Sequence, residues 1–374
     1  MSWPLRTLDE LGYVSRGRSR HRPRDAAHLY GGPYPFIQTA DVKHANLYIK
    51  EYTQTYSEAG LAQSKLWNAG TLCITIAANI ADTAILDFDA CFPDSVIGFI
   101  PDKSKADARF IKYLFDALLQ KRYQRFTQGA AQDNLSQAKL LSLQFPVPDL
   151  NTQVMIADKL FAYDILIENN RRRIQLLEQA ARLLYKEWFV HLRFPGHEHV
   201  KIKDGVPEGW ERKPLGDVAT LKYGKALKKD DRIPGAFPVY GSSGIVGTHE
   251  KPLVKGPGII VGRKGNVGSV YWSEDDYHPI DTVYYIESSE SSLCLYYALQ
   301  NTSFINTDVA VPGLNRDFAH SCELLIPDAR MKSYFEDVVA PMHRQIYGLL
   351  KYNETLAKAR DLLLPRLMNG EIAV

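Results

Sequence analysis

Cysteine is scarce in this chain, and what there is does not pair. Cys73, Cys91, Cys294 and Cys322 are widely separated along 374 residues, with no Cys-x-x-Cys step. That pattern argues against a zinc site or a disulfide framework and suits a reducing compartment. Long apolar runs are missing as well. None approaches the roughly 20 residues that span a bilayer, and the opening "MSWPLRTLDELGY" has no basic-then-apolar leader. The expectation is a cytoplasmic protein without a membrane partner. An excess of one charge is also absent: 45 Lys and Arg stand against 43 Asp and Glu, a net charge of +2. A nucleic-acid partner would have to be met by local basic patches and not by a global field.

The signatures of catalysis are absent too. "GIIVGRKGNVGSVYW" (Gly258 to Trp272) is rich in glycine, but it lacks the Gly-x-x-x-x-Gly-Lys-Ser/Thr spacing of a phosphate loop. The "SVYW" that follows its turn is β-branched and aromatic, which predicts a strand and hence a β-hairpin. "SQAK" (Ser136 to Lys139) has the Ser-x-x-Lys spacing of acyl-transferring enzymes without their companion motifs. "HEH" (His197 to His199) lacks the i, i+4 histidine pair of a zinc helix. "ERK" (Glu211 to Lys213), a nuclease-like fragment, has only Glu208 close before it. No metal site and no catalytic residue is expected on this chain.

What is present is repetition, the first thing to seek in any chain. "LDELGYVSRG" (Leu8 to Gly17) lines up with "LGDVATLKYG" (Leu215 to Gly224), and "YPFIQ" (Tyr34 onward) with "FPVYG" (Phe237 onward). "CITIAANIADTAIL" (Cys73 to Leu86) matches the glycine-rich hairpin, pairing Asn79 with Asn266 and, further on, Asp94 with Asp281. "FPVPD" (Phe145 onward) answers "LIPD" (Leu325 onward), and each repeat then ends in a long helical segment.

Both helical segments carry a heptad stripe. In the first, Ile156, Leu160, Tyr163, Ile167, Asn170, Ile174, Leu177, Ala181, Leu184 and Trp188 alternate steps of four and three. Phe335, Val339, Met342, Ile346, Leu349, Asn353, Leu356, Arg360, Leu363 and Leu367 do so in the second. Such a 3.5-residue repeat keeps one seam against a partner helix. At 1.5 Å per residue each helix measures roughly 55 Å. Asn170 and Asn353 interrupt the seams as residues that fix register do. Pro341 is expected to kink the second helix and Pro365 to disturb its end. Two arrangements are open: each helix packs on its own domain, or the two pair antiparallel as a coiled coil.

The expected fold class is α+β, with two pseudo-repeated domains of mixed or antiparallel sheet and helices, joined by two long antiparallel helices. The boundaries read as a first domain over 1–150, a long helix over 151–192 and a linker over 193–210. A second domain over 211–329 and a second long helix over 330–374 follow.

Basic residues gather where loops are expected. "SRGRSRHRPR" (Ser15 to Arg24) supplies Arg16, Arg18, Arg20 and Arg22, and its counterpart "LKYGKALKKDDR" supplies Lys222, Lys225, Lys228 and Lys229. Arg263 and Lys264 occupy the turn of the hairpin, beside Asn266. Polar residues suited to base edges stand nearby: Gln38, Thr39, Gln132, Asn134, Ser242, Ser243, Asn315 and Arg316. Each has a plainer reading, as a solvated charge or a turn cap. "RRR" (Arg171 to Arg173), mid-helix, reads as a solvated or partner-facing patch.

Taken together, "GWERKPLGDVATLKYGKALK", "FPVYGSSGIVG", "IIVGRKGNVGSVYW", "VPGLNR", "LLYKEWF" and "LLLPRLMNGEI" resemble the specificity subunit of type I restriction-modification enzymes. The resemblance covers essentially the whole chain. The first domain departs from it most, with "ITIAANIADTAI" where the second has glycines and a basic pair. The resemblance implies target-recognition domains that each read half of a split, asymmetric site in double-stranded DNA. It implies helices that set the gap and dock two methyltransferase subunits, with two restriction motor-nuclease subunits joining in some assemblies. S-adenosylmethionine, ATP and magnesium would then belong to those partners, and no cofactor to this chain. The rival readings are a standalone two-domain DNA-binding protein, a coiled-coil scaffold, and a cryptic nuclease that would need magnesium-dependent cleavage by this chain alone.

Overall fold

The computed structural model describes residues 3–77, 80–120, 135–304 and 313–372. The chain forms two compact units, residues 1–170 with 352–374, and residues 171–351. The sequence repeat reappears in their internal topology.

In the first unit a five-stranded sheet runs in the order Gly12–Arg16, Val96–Pro101, Leu72–Thr75, Thr83–Leu86, Tyr48–Ile49. The first three pairings are antiparallel and the last is parallel. A second sheet has the order Gln54–Tyr56, Tyr30–Phe36, Ala90–Cys91, Leu66–Trp67. The strands that form the centre of the first sheet are buried on both faces, so they read as continuous apolar runs without alternation. Helix Ala108–Phe115, capped by the Asp107 carboxylate on the Arg109 and Phe110 amides, lays Phe110, Ile111, Leu114 and Phe115 into the same core.

In the second unit the main sheet runs Lys222–Tyr223, Val283–Ile286, Gly258–Gly262, Val270–Ser273, antiparallel throughout. The companion sheet runs Gly244–His249, Phe237–Gly241, His278–Pro279. It keeps the parallel pairing seen between Tyr30–Phe36 and Ala90–Cys91 in the first unit. A short antiparallel pair closes each unit, Leu5–Arg6 with Phe145–Pro146 and Glu211–Pro214 with Glu323–Ile326. The glycine-rich stretch is the hairpin the sequence predicts, Gly258–Gly262 against Val270–Ser273. Gly17 and Gly224 end the equivalent first strands in equivalent crowding. An added Cβ would lie 2.4 Å from the Phe92 and Pro93 oxygens in one unit, and 2.0 and 2.7 Å from the Ile280 and Pro279 oxygens in the other. No side chain fits at either place.

The Pro-Asp that closes each repeat starts a long helix. Asp149 accepts from the Thr152 amide at 3.1 Å and from its hydroxyl at 2.7 Å, at the head of helix Leu150–Tyr185. Asp328 accepts from the Met331 amide at 2.9 Å at the head of helix Ala329–Met368. That second helix continues through Pro341 and Pro365. Pro341 lies on its exposed side, where water can serve the carbonyl left without an amide donor.

Both long helices contribute to both units, and in each unit they run antiparallel. In the first, Asn170 Nδ2 donates to Asn353 Oδ1 at 2.9 Å, and Arg360 pairs with Asp164 at 2.5 Å. Leu367 and Met368 join the core there. In the second, Tyr185, Trp188 and Phe189 pack around Phe335, with ring centroids 5.1–5.8 Å apart. Phe194 and Trp210, at the two ends of the stretch read as a linker, are buried in that same aromatic cluster. Every seam position is buried or half-buried. Among the described residues no helix is long and apolar enough to cross a membrane.

Candidate nucleic-acid interface

The hairpin turn of the second unit gathers most of that unit's expected site residues. The Arg263 and Lys264 amides both donate to the Thr282 carbonyl, at 2.9 and 3.1 Å, which folds the turn against the start of strand Val283–Ile286. Leu314 donates its amide to the Arg263 carbonyl at 2.8 Å, and Lys264 forms a bridge with Gly313, bringing up the segment that carries Asn315 and Arg316. Ser269 Oγ donates to the Ser242 and Asn266 carbonyls, at 2.7 and 2.9 Å, tying in the turn of the companion sheet. Ser242, Arg263, Lys264, Asn266, Asn315 and Arg316 thus share one surface.

Two guanidiniums there meet one ring. The Arg263 Cζ lies 4.9 Å and the Arg316 Cζ 5.2 Å from the centre of Tyr223, contacts worth about 0.5–1 kcal/mol each when exposed. Tyr223 packs edge-on against Tyr284 at 5.1 Å. Burial pushes the Tyr284 phenol up to about 12, so it stays protonated and donates to the Leu314 carbonyl at 2.8 Å. Arg263 Nη1 donates to the Asp281 carbonyl at 3.1 Å. Tyr223 and Tyr284 were not among the residues singled out from sequence; the only signal was an aromatic set between Lys222 and Lys225.

The other basic residues of this unit differ in their situation. Lys222 pairs with Glu287 at 2.5 Å, and that carboxylate, hydrogen-bonded to it, raises its pKa. Lys225, Lys228 and Lys229 are exposed, as is Ser243. The Asn315 side chain caps helix Arg316–Ser321, accepting from the Asp317 and Phe318 amides at 2.8 and 3.1 Å.

In the first unit the arginine-rich loop is held by its backbone. Gln63 Oε1 accepts from the Arg20 and His21 amides, and Ser64 Oγ donates to the Arg18 carbonyl. The side chains of Arg18 and Arg20 remain exposed, while Arg22 bonds the Ser19 and His21 carbonyls. Arg16 Nε donates to the Asp94 carbonyl at 2.9 Å, and the Asp94 carboxylate is taken by Arg24 through both oxygens. Gln38 caps helix Thr39–His44 and donates Nε2 to Gln54 at 2.6 Å. Gln132 and Asn134 lie outside the described residues. Among the described residues no group of three His, Cys, Asp or Glu is placed to hold a metal ion.

The family model described as the type I restriction modification DNA specificity domain matches residues 2–179 and 207–328, most of the chain. This chain belongs to that family. The two matched stretches begin at corresponding points of the two repeats and between them take in the larger sheets of both units. Among relatives of this specificity-domain chain, the type I restriction enzyme MjaIX specificity subunit of Methanocaldococcus jannaschii is 23% identical, over 100% of this chain and 94% of its own length. The HindI specificity subunit of Haemophilus influenzae is 22% identical, over 97% and 98%. In fold, the type I restriction-modification S subunit from M. genitalium superposes with a TM-score of 0.62 at 18% identity, over 98% of this chain and 96% of that one.

Proposed function

We propose that this chain is the DNA-reading subunit of a type I restriction-modification complex, each unit reading one half of a split site. The observation that carries the reading is the convergence of Ser242, Arg263, Lys264, Asn266 and Arg316 at one turn, in a family chain whose architecture occurs twice. Guanidinium and ammonium groups neutralise phosphates and hold the register of a duplex, while Arg, Asn and Ser read base edges. Two reading units of one architecture on a single chain suit a site with two dissimilar halves. The long helices set the unread gap and dock the methyltransferase subunits. Chemistry resides in those partners, which use S-adenosylmethionine, and in motor-nuclease subunits that use ATP and magnesium; this chain supplies address alone.

The test is a map of methylated adenines in a host with and without this gene, alongside co-purification of the chain with a methyltransferase. Gene-dependent methylation at a two-part motif is the expected result. A chain that binds DNA tightly but carries no methyltransferase and changes no methylation would be a standalone DNA-binding protein.

A further inference from the structure

An arginine is tied to the same backbone carbonyl in both units, but it arrives there from different strands. In the first unit it is Arg16, the last residue of strand Gly12–Arg16, with Nε on the Asp94 carbonyl at 2.9 Å. In the second it is Arg263, from the hairpin turn, with Nη1 on the Asp281 carbonyl at 3.1 Å. The two carbonyls are equivalent. Gly17 and Gly224 donate to the Val96 and Val283 oxygens, and Arg18 and Lys225 to the Phe92 and Pro279 oxygens. Each aspartate lies in a turn closed by the same bond, Val96 to Pro93 and Val283 to Ile280.

The exchange is reciprocal. Where the first unit has Arg16 opposite Ile97, the second has Tyr223 opposite Tyr284. Where the second unit has Arg263, the first has Ile76, buried in the core. Each unit has changed which strand supplies the cation and kept where the guanidinium is held. A charge run that only solvates a surface has no reason to return to one place by two routes.

We infer that Arg16 and Arg263 are equivalent base-reading residues, each recognising a guanine of its half-site through N7 and O6. The inference rests on the DNA-reading function proposed above. The carbonyl takes one edge of the guanidinium and fixes its plane. Arg16, held by Nε, then presents its two terminal nitrogens, and Arg263, held by Nη1, presents Nε and Nη2. Either edge is a two-donor fork. Guanine is the one base whose major-groove edge offers two adjacent acceptors to match it. Tyr223 is a positioning residue in the second unit, backing Arg263 with its ring.

The experiment uses the chain in complex with its methyltransferase partner, on the site found by methylation mapping. Each guanine of the duplex is replaced in turn by 7-deazaguanine, which removes the N7 acceptor. The wild-type complex loses roughly 5- to 150-fold in affinity at one guanine in each half-site. Arg16→Lys, which replaces the planar fork by a point charge, reduces that sensitivity in one half, and Arg263→Lys reduces it in the other. Both keep their charge, and the retained sensitivity of the untouched half reports that the complex is folded. Tyr223→Leu weakens discrimination only in the half governed by Arg263, and Tyr223→Phe restores it. The inference is overturned if either half-site has no sensitive guanine, if both lysine variants keep full sensitivity, or if both act on the same half. A wild-type complex that methylates no two-part site defeats the underlying function, and this inference with it.

Discussion

His343 shows how much one side chain can hide from a sequence reading. It is only 8% exposed, with Trp272, Tyr296 and Tyr297 ringed around it at centroid distances of 5.7–6.1 Å. Its Nε2 is hydrogen-bonded to the Tyr297 hydroxyl at 2.8 Å. Burial lowers its pKa from 6.5 to about 4. Well above pH 6.5 the ring is neutral in folded and unfolded chains alike and contributes no pH dependence. As pH falls from about 6.5 to about 4, the unfolded chain takes up a proton that the folded one refuses, so stability is lost. The loss approaches roughly 3 kcal/mol at the lower end, since each pKa unit is about 1.4 kcal/mol. Urea midpoints of wild type and His343→Gln, compared from pH 7 to 4.5, should diverge in that sense; parallel curves would refute the assignment. Lys264 makes a simpler case. It is exposed on the turn, and Lys264→Ala should lower the slope of log affinity against log salt by about 0.9 with base preference unchanged. The basic turn was legible because glycine and paired cations are local signals. The Tyr223 stack was not, because the residues that meet there come from segments far apart in the chain. Nor did Lys222 announce that Glu287 would claim it.

At the scale of elements the sequence was most informative where a period repeats. The heptad stripes name the buried seam of both long helices, and the Pro-Asp steps mark their starts. The stripes also contained a charge, Arg360, that periodicity alone does not explain. Its partner is Asp164, which is 8% exposed and also accepts from the Tyr113 hydroxyl at 2.5 Å. Arg360 keeps Asp361 when Asp164 is removed, but the buried Tyr113 hydroxyl loses its acceptor. Asp164→Ala should therefore cost roughly 1–3 kcal/mol. The Asn170–Asn353 pair behaves differently. Substituting Leu at one position leaves a buried amide unsatisfied and costs about 1–3 kcal/mol, whereas Leu at both is neutral or stabilising and gives up a register lock. Urea unfolding of the two single variants and the double variant separates these cases. Strictly additive losses would show that the amides do not act as a pair. The short sheet strands were less legible, since two-residue strands such as Lys222–Tyr223 have no period to read. Their placement follows from long-range pairing.

For the whole molecule, the proposed function makes the helices a ruler, and a ruler can be lengthened. Seven residues preserve a heptad seam, whereas an insertion of four in one helix alone would turn its apolar face away from the partner. The insertion therefore belongs in both helices at facing positions, between Arg173 and Ile174 in the first and between Leu349 and Leu350 in the second. Asn170 then still meets Asn353, because both lie on the same side of the inserted turns. Seven residues add about 10.5 Å of helix, close to the rise of three base pairs at about 3.4 Å each. The insertions fall in the helices at the edge of the second unit and cost it the Lys351–Asp275 ion pair, but they leave the sheets of both units unaltered, so both half-sites should be kept. Methylation mapping is expected to return the original half-sites with a gap about three base pairs longer. Methylation at the unchanged gap would mean that something other than the helices sets the distance between the two halves.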